Sequence, residues 1–147
     1  VKKGATTIWE HWDGLKDDGS MWSADMNSFN HYAYGAIGEW MYRAMAGIEA
    51  DPEHPGFKHA ILYPRIGGNL KYTAGKYHSI YGDVGVKWEV QGKQITLTVQ
   101  IPVNTTAEIR LDQAKAVLES DGLTFIREAD YMAAEAGSGT YHIAFEQ

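Results

Sequence analysis

The apolar residues of this chain change period once, and the change falls on a segment that neither a helix nor a central strand crosses. Ala33, Ile37, Trp40, Met41, Ala44, Met45 and Ile48 recur at steps of three and four, the spacing of an apolar helical stripe. Asp51-Pro52-Glu53-His54-Pro55-Gly56 then interrupts, because two prolines lack the N–H and fix φ where a helix needs neither. Beyond it the period is two. Val84, Val86, Trp88 and Val90 alternate with Gly85, Lys87 and Glu89, and Ile95, Leu97, Val99 and Ile101 alternate with Thr96, Thr98 and Gln100. Gln91-Gly92-Lys93 between these runs predicts a tight hairpin. Further strands are expected at 58–66, 70–79, 107–111 and 141–145. Six short strands with Gly-rich turns predict an antiparallel β-sandwich, so the fold class is mainly β with an N-terminal helical piece. The break places the domain boundary at 52/53, with the sandwich over 53–147 expected to be stable by itself.

The helical piece is expected to span Ser28–Ile48 as one helix, capped by Asn27 or Ser28. Ahead of it, residues 1–27 keep no period. Trp9, Trp12 and Trp22 are set among Asp-Gly and Asp-Asp-Gly-Ser clusters, which predicts an aromatic loop. A helix with a broad apolar stripe needs more cover than one loop provides, which implies helical partners upstream or on another chain. The first residues, Val1-Lys2-Lys3-Gly4, hold no initiator Met and no apolar signal core, so the stretch is expected to come from the middle of a longer chain.

Composition narrows the chemistry. Thirteen basic against nineteen acidic residues give a net charge of −6, and no Lys/Arg cluster offers a footprint for nucleic-acid phosphates. Without cysteine there is no disulfide, thiolate metal site or Cys nucleophile. No apolar run reaches the roughly 18 residues of a membrane-spanning helix. The histidines His11, His31, His54, His59, His78 and His142 form no His-Glu-x-x-His unit, and Asp17-Asp18-Gly19 lacks the alternating oxygens of a calcium loop, so no metal and no cofactor is expected.

One constellation stands out. In Trp9-Glu10-His11-Trp12-Asp13, a carboxylate between two indoles would occupy a partly dry, sugar-sized cleft. Glycosidases flank the scissile bond with two carboxyl groups, and only one half of such a pair is evident here. A solvated rim charge between two packing tryptophans is the plainer reading of Glu10. His31, in Asn30-His31-Tyr32, is either a donor to a ligand hydroxyl or a structural histidine beside Tyr32 and Tyr34.

Gly4-Ala5-Thr6-Thr7-Ile8-Trp9-Glu10-His11-Trp12, followed by the run from Met26-Asn27-Ser28-Phe29-Asn30-His31-Tyr32 to Glu39-Trp40-Met41-Tyr42, resembles the bacterial α-L-rhamnosidases of glycoside hydrolase family 78. Pro64-Arg65 and Gly137-Ser138-Gly139-Thr140-Tyr141 extend the resemblance into the β region. It implies an (α/α)₆ barrel followed by a C-terminal β-sandwich, with residues 1–52 as the last loop and helix of the barrel and 53–147 as the sandwich. It also implies inverting hydrolysis of terminal α-L-rhamnosides without a cofactor. Glu10 then corresponds to the general base and His31 to a residue lining the rhamnose pocket, while the general acid belongs to an upstream segment. The partners implied are a rhamnose-containing glycoside and the remainder of the barrel. Two other readings compete: a carbohydrate-binding or bracing sandwich module, for which exposed Trp88 or Tyr77 would favour sugar binding, and self-association through the Ser28–Ile48 helix.

Overall fold

A computed structural model describes residues 4–147. The chain divides into two compact units, one running to Glu39 and one from Trp40 to Gln147. The helical stretch is shorter and less regular than its apolar spacing predicts. A 3₁₀ turn at Tyr32–Gly35 is followed by one α-turn, α1 (Ala36–Trp40), and a π-helical turn at Met41–Ala46. Neither Asn27 nor Ser28 caps it. Asn27 Nδ2 donates to the Gly14 carbonyl at 3.0 Å and Ser28 Oγ accepts from Asn30 N, so both side chains are engaged in the preceding loop. At the far end Gly47 adopts φ +75, and its N–H bonds to the Tyr42 carbonyl. That left-handed cap stops the helix, and Ile48, predicted helical, begins a strand.

Ten strands follow: β1 (Ile48–Ala50), β2 (His59–Leu62), β3 (Tyr72–Ser79), β4 (Gly82–Gln91), β5 (Gln94–Ile101), β6 (Thr106–Asp112), β7 (Ala116–Glu119), β8 (Ile126–Arg127), β9 (Tyr131–Ala136) and β10 (Gly139–Glu146). They form two five-stranded sheets, ordered β1-β2-β6-β9-β8 and β3-β4-β5-β10-β7. The second is antiparallel throughout. The first is mixed, since β2 runs parallel to β6 with His59 opposite Thr106, which corrects the wholly antiparallel expectation. The predicted hairpin is present, with Gln91 opposite Gln94 and Gly92 at φ +66.

The alternating residues do what their period requires. Val84, Val86, Trp88, Ile95, Leu97, Val99 and Ile101 from one sheet join Leu62, Ala107, Ile109 and Leu111 from the other in a single buried cluster. Trp88 is fully buried, and its indole N–H donates to the Met45 carbonyl at 2.8 Å, tying the π-turn to the sheet. It is a brace between elements and presents no surface for a sugar. Tyr77 remains partly exposed and lies 4.5 Å from the Phe57 ring.

Candidate active-site loop

Glu10 and His31 lie in the N-terminal unit, on two segments zipped together by backbone. Glu10 N–H donates to the Ser28 carbonyl at 2.8 Å, and His31 N–H donates to the Ile8 carbonyl at 2.8 Å. Thr7 Oγ1 donates to the Phe29 carbonyl, and the Trp9 ring meets Phe29 edge-on at 5.0 Å. The turn between the segments is organised around Gly14, whose carbonyl accepts from Trp22 N at 3.2 Å and from Asn27 Nδ2 at 3.0 Å. Gly14 is buried, and a Cβ there would sit 3.2 Å from Asn27 Oδ1 and 3.3 Å from the Phe29 ring.

This pairing brings two residues, 21 positions apart in the chain, side by side. His31 Nε2 stands 4.0 Å from Glu10 Oε1, both side chains about one-third accessible. The gap exceeds a hydrogen bond, and one oxygen atom spans it at ordinary bonding distances from both. The other ring nitrogen, His31 Nδ1, is buried without a hydrogen-bond partner. Tyr34 lies 5.0 Å from the imidazole and Tyr32 6.4 Å, as expected for a histidine seated among tyrosines.

The cleft walls differ from the sequence expectation. Trp12 is 100 % exposed and gives Glu10 no cover; Trp9 alone of the pair is partly buried. The aromatic contact that periodicity could not reveal is His11 stacked on Trp22 at 4.2 Å and 28°. No spacing rule links positions 11 and 22, because the turn around Gly14 creates the contact. Among the described residues no group of three His, Asp or Glu side chains could hold a metal ion, and no helix is long and apolar enough to cross a membrane.

The loop thus sets a carboxylate beside an imidazole, among exposed tryptophan and tyrosine side chains. Comparison with known proteins identifies the family. The family model for the bacterial α-L-rhamnosidase C-terminal domain matches residues 47–124, and that for the bacterial α-L-rhamnosidase six-hairpin glycosidase domain matches residues 1–45. The chain therefore belongs to the bacterial α-L-rhamnosidase family. An α-L-rhamnosidase of Streptomyces avermitilis is 40 % identical over 144 residues, covering 96 % of this chain and 14 % of that protein. One from Formosa agariphila is 40 % identical over 111 residues, 76 % of this chain and 12 % of that protein. The crystal structure of the Streptomyces avermitilis enzyme complexed with L-rhamnose superposes with a TM-score of 0.79 at 38 % identity, over 97 % of this chain and 14 % of the other. Native α-L-rhamnosidase from Aspergillus terreus gives 0.67 at 28 %, over 97 % and 15 %. The chain thus spans about one-seventh of the length of the relatives it matches.

Proposed function

We propose that this chain supplies the general base and part of the sugar pocket of an enzyme that hydrolyses terminal α-L-rhamnosides with inversion. In this reading the residues before β1 end the catalytic barrel, and the sandwich that follows it begins with β1 rather than at residue 53, because Ile48–Ala50 pairs with β2. The observation that carries the reading is the 4.0 Å approach of His31 Nε2 to Glu10 Oε1, in a chain of α-L-rhamnosidase sequence.

The chemistry divides between them. Inversion needs a carboxylate that removes a proton from water while the water attacks the anomeric carbon from the face opposite the leaving group. Glu10 takes that proton. The acid that protonates the leaving oxygen stands roughly 6.5–9.5 Å from the base, so the two carboxyl groups come readily from distant parts of a chain. We assign the acid to a segment of the enzyme outside these 147 residues. His31 binds a rhamnose hydroxyl through Nε2, beside the water that Glu10 orients. The remainder of the barrel is then the chain's principal partner, in preference to a second copy paired through the 28–48 segment.

Two assays test this. The 147-residue chain alone should not hydrolyse an aryl α-L-rhamnoside, because a lone base leaves the leaving group unprotonated. Turnover by the chain that vanishes in Glu10→Gln would place the acid within it, with Asp13 and Asp25 the first to examine. When the chain replaces the matching stretch of an active α-L-rhamnosidase, proton NMR should show β-L-rhamnose as the first product from an α-linked substrate. The α-anomer as first product would refute inversion.

A further inference from the structure

The sandwich contains a polar cavity that the proposed mechanism does not use. It measures about 480 Å³, and its walls include Tyr63, Arg65, Arg110, Asp112, Asp130 and Tyr131, within the roughly 300–1,000 Å³ range of small-molecule sites. Three of these residues stand on strands: Arg110 and Asp112 on β6, with Tyr131 of β9 directly opposite Asp112. The two tyrosine rings meet at 5.2 Å and 57°, with the Arg65 guanidinium 3.5 Å from the centre of the Tyr63 ring and the Arg110 guanidinium 5.0 Å from that of Tyr131.

Asp112 is the unusual member. Its residue is 8 % exposed, and burial pushes its carboxyl above the ordinary range. Every side-chain contact it makes is long: Tyr63 Oη at 3.3 Å, Arg65 Nη1 at 3.5 Å and Gln147 Nε2 at 3.4 Å. A buried carboxylate normally holds partners at about 2.7–2.9 Å, so this one has accepting capacity to spare. Beside it, Gln113 takes φ +49, an uncommon conformation for a residue with a side chain, and its N–H bonds to the Asp130 carbonyl.

The charges decide what would fit. Two guanidinium groups face two carboxylates, and Arg110 is also paired with Glu108 at 2.5 Å. The surroundings carry no positive surplus, so a phosphate or sulfate gains nothing here. Acceptors and donors side by side suit a hydroxyl, which gives one hydrogen bond and accepts others. Tyr63 is stacked against Arg65, so the aromatic surface left to meet the C–H face of a sugar ring is that of Tyr131. We propose that this cavity binds a neutral pyranose, with Asp112 and Asp130 accepting from ring hydroxyls, Arg65 donating to them, and Tyr131 lying against the ring. It is a second saccharide site, on the sandwich, and it stands independently of the assignment of Glu10.

The test is a titration of the ¹⁵N-labelled chain with the methyl glycosides of rhamnose, glucose and galactose, and in parallel with inorganic phosphate. At least one glycoside should shift the amide resonances of Gln113, Asp130 and Tyr131, with a Kd on the order of 1 mM. Asp112→Asn should weaken that binding about tenfold or more, since a charged acceptor is lost. Asp130→Asn, at an exposed residue, tests the same cavity without touching the core and should weaken it several-fold. No shift at these amides up to about 50 mM glycoside, equal shifts from phosphate, or unchanged affinity in both variants would overturn the proposal. Shifts confined to residues around Glu10 and His31 would overturn it too, while leaving the reading of Glu10 intact.

Discussion

Replacing Gly47 by alanine tests a close backbone approach in the sandwich unit. Gly47 has φ +75, and a Cβ on it would fall 2.0 Å from Pro64 N and 2.3 Å from the Tyr63 carbonyl carbon. Ordinary contact is about 3.5 Å or more, so the two segments would have to part by over 1 Å. The hydrogen bond from Tyr63 N–H to the Gly47 carbonyl, at 2.8 Å, would not survive that movement. The positive φ costs about 1–2 kcal/mol, and the lost bond with its two buried polar groups about 2–4 kcal/mol more. The total is about 3–6 kcal/mol, or a melting temperature lower by about 12–25 °C in a unit of this size. Gly92→Ala supplies the control, because it shares a positive φ of +66 but has no atom within 4 Å of the added Cβ. Its cost should be the φ term alone, about 1–2 kcal/mol. Paired urea and thermal melts followed by circular dichroism measure both. Equal destabilisation in the two variants would refute the steric argument and leave only backbone conformation.

Other perturbations test separate parts of the account. A chain beginning at Trp40 should unfold cooperatively, whereas one beginning at Glu53 loses β1 and the Met45 carbonyl that Trp88 bonds, and should melt lower by at least about 8 °C; equal melting temperatures would show that these elements add nothing. Asp51, Asp83 and Asp121 are held below the ordinary carboxylate value of 3.8, chiefly by hydrogen bonds from His54, from His78 and Lys76, and from the His142 backbone and ring. Their contribution is present above that value and lost as pH falls through their folded pKa values, so Asp83→Asn should flatten the acid side of a Tm–pH curve. Asp112, raised by burial, has the opposite sign: its contribution is full below 3.8 and is lost as pH rises through its folded pKa, so Asp112→Asn should remove a decline on that side. His31→Ala, in an active enzyme carrying this stretch, should weaken rhamnose binding by about 1–3 kcal/mol with kcat less affected, and an unchanged KM would return His31 to a structural role.

Six of the ten strands were legible because their residues alternate around a core that closes on itself, as the buried faces of β4 and β5 show. The rest carry weaker signals. β1 is three residues long and begins inside an apparent helical stripe, and β8 has only Ile126 and Arg127, both exposed. In β9 the run Ala133-Ala134-Glu135-Ala136 favours helix by propensity, yet it pairs with β6 because Ala134 and Ala136 fill the core. The parallel β2–β6 pairing has no local sequence mark at all. In the site, Glu10 and His31 were recognisable as motif residues. Their approach depends on Gly14 and Asn27 folding the intervening loop, and the exposure of Trp12 follows from that same turn, so neither could be read from spacing.

In the proposed mechanism Glu10 removes the proton from the attacking water. The most direct measurement is kcat on an aryl α-L-rhamnoside for the Streptomyces avermitilis enzyme carrying this chain in place of its matching stretch, with and without Glu10→Gln. Glutamine keeps the shape and the hydrogen bonding of the side chain and loses only its basicity. If Glu10 is the base, kcat should fall by about 10²–10⁴ with KM and melting temperature nearly unchanged. Near-normal turnover in the Glu10→Gln enzyme would contradict it and reduce Glu10 to a charge on the rim.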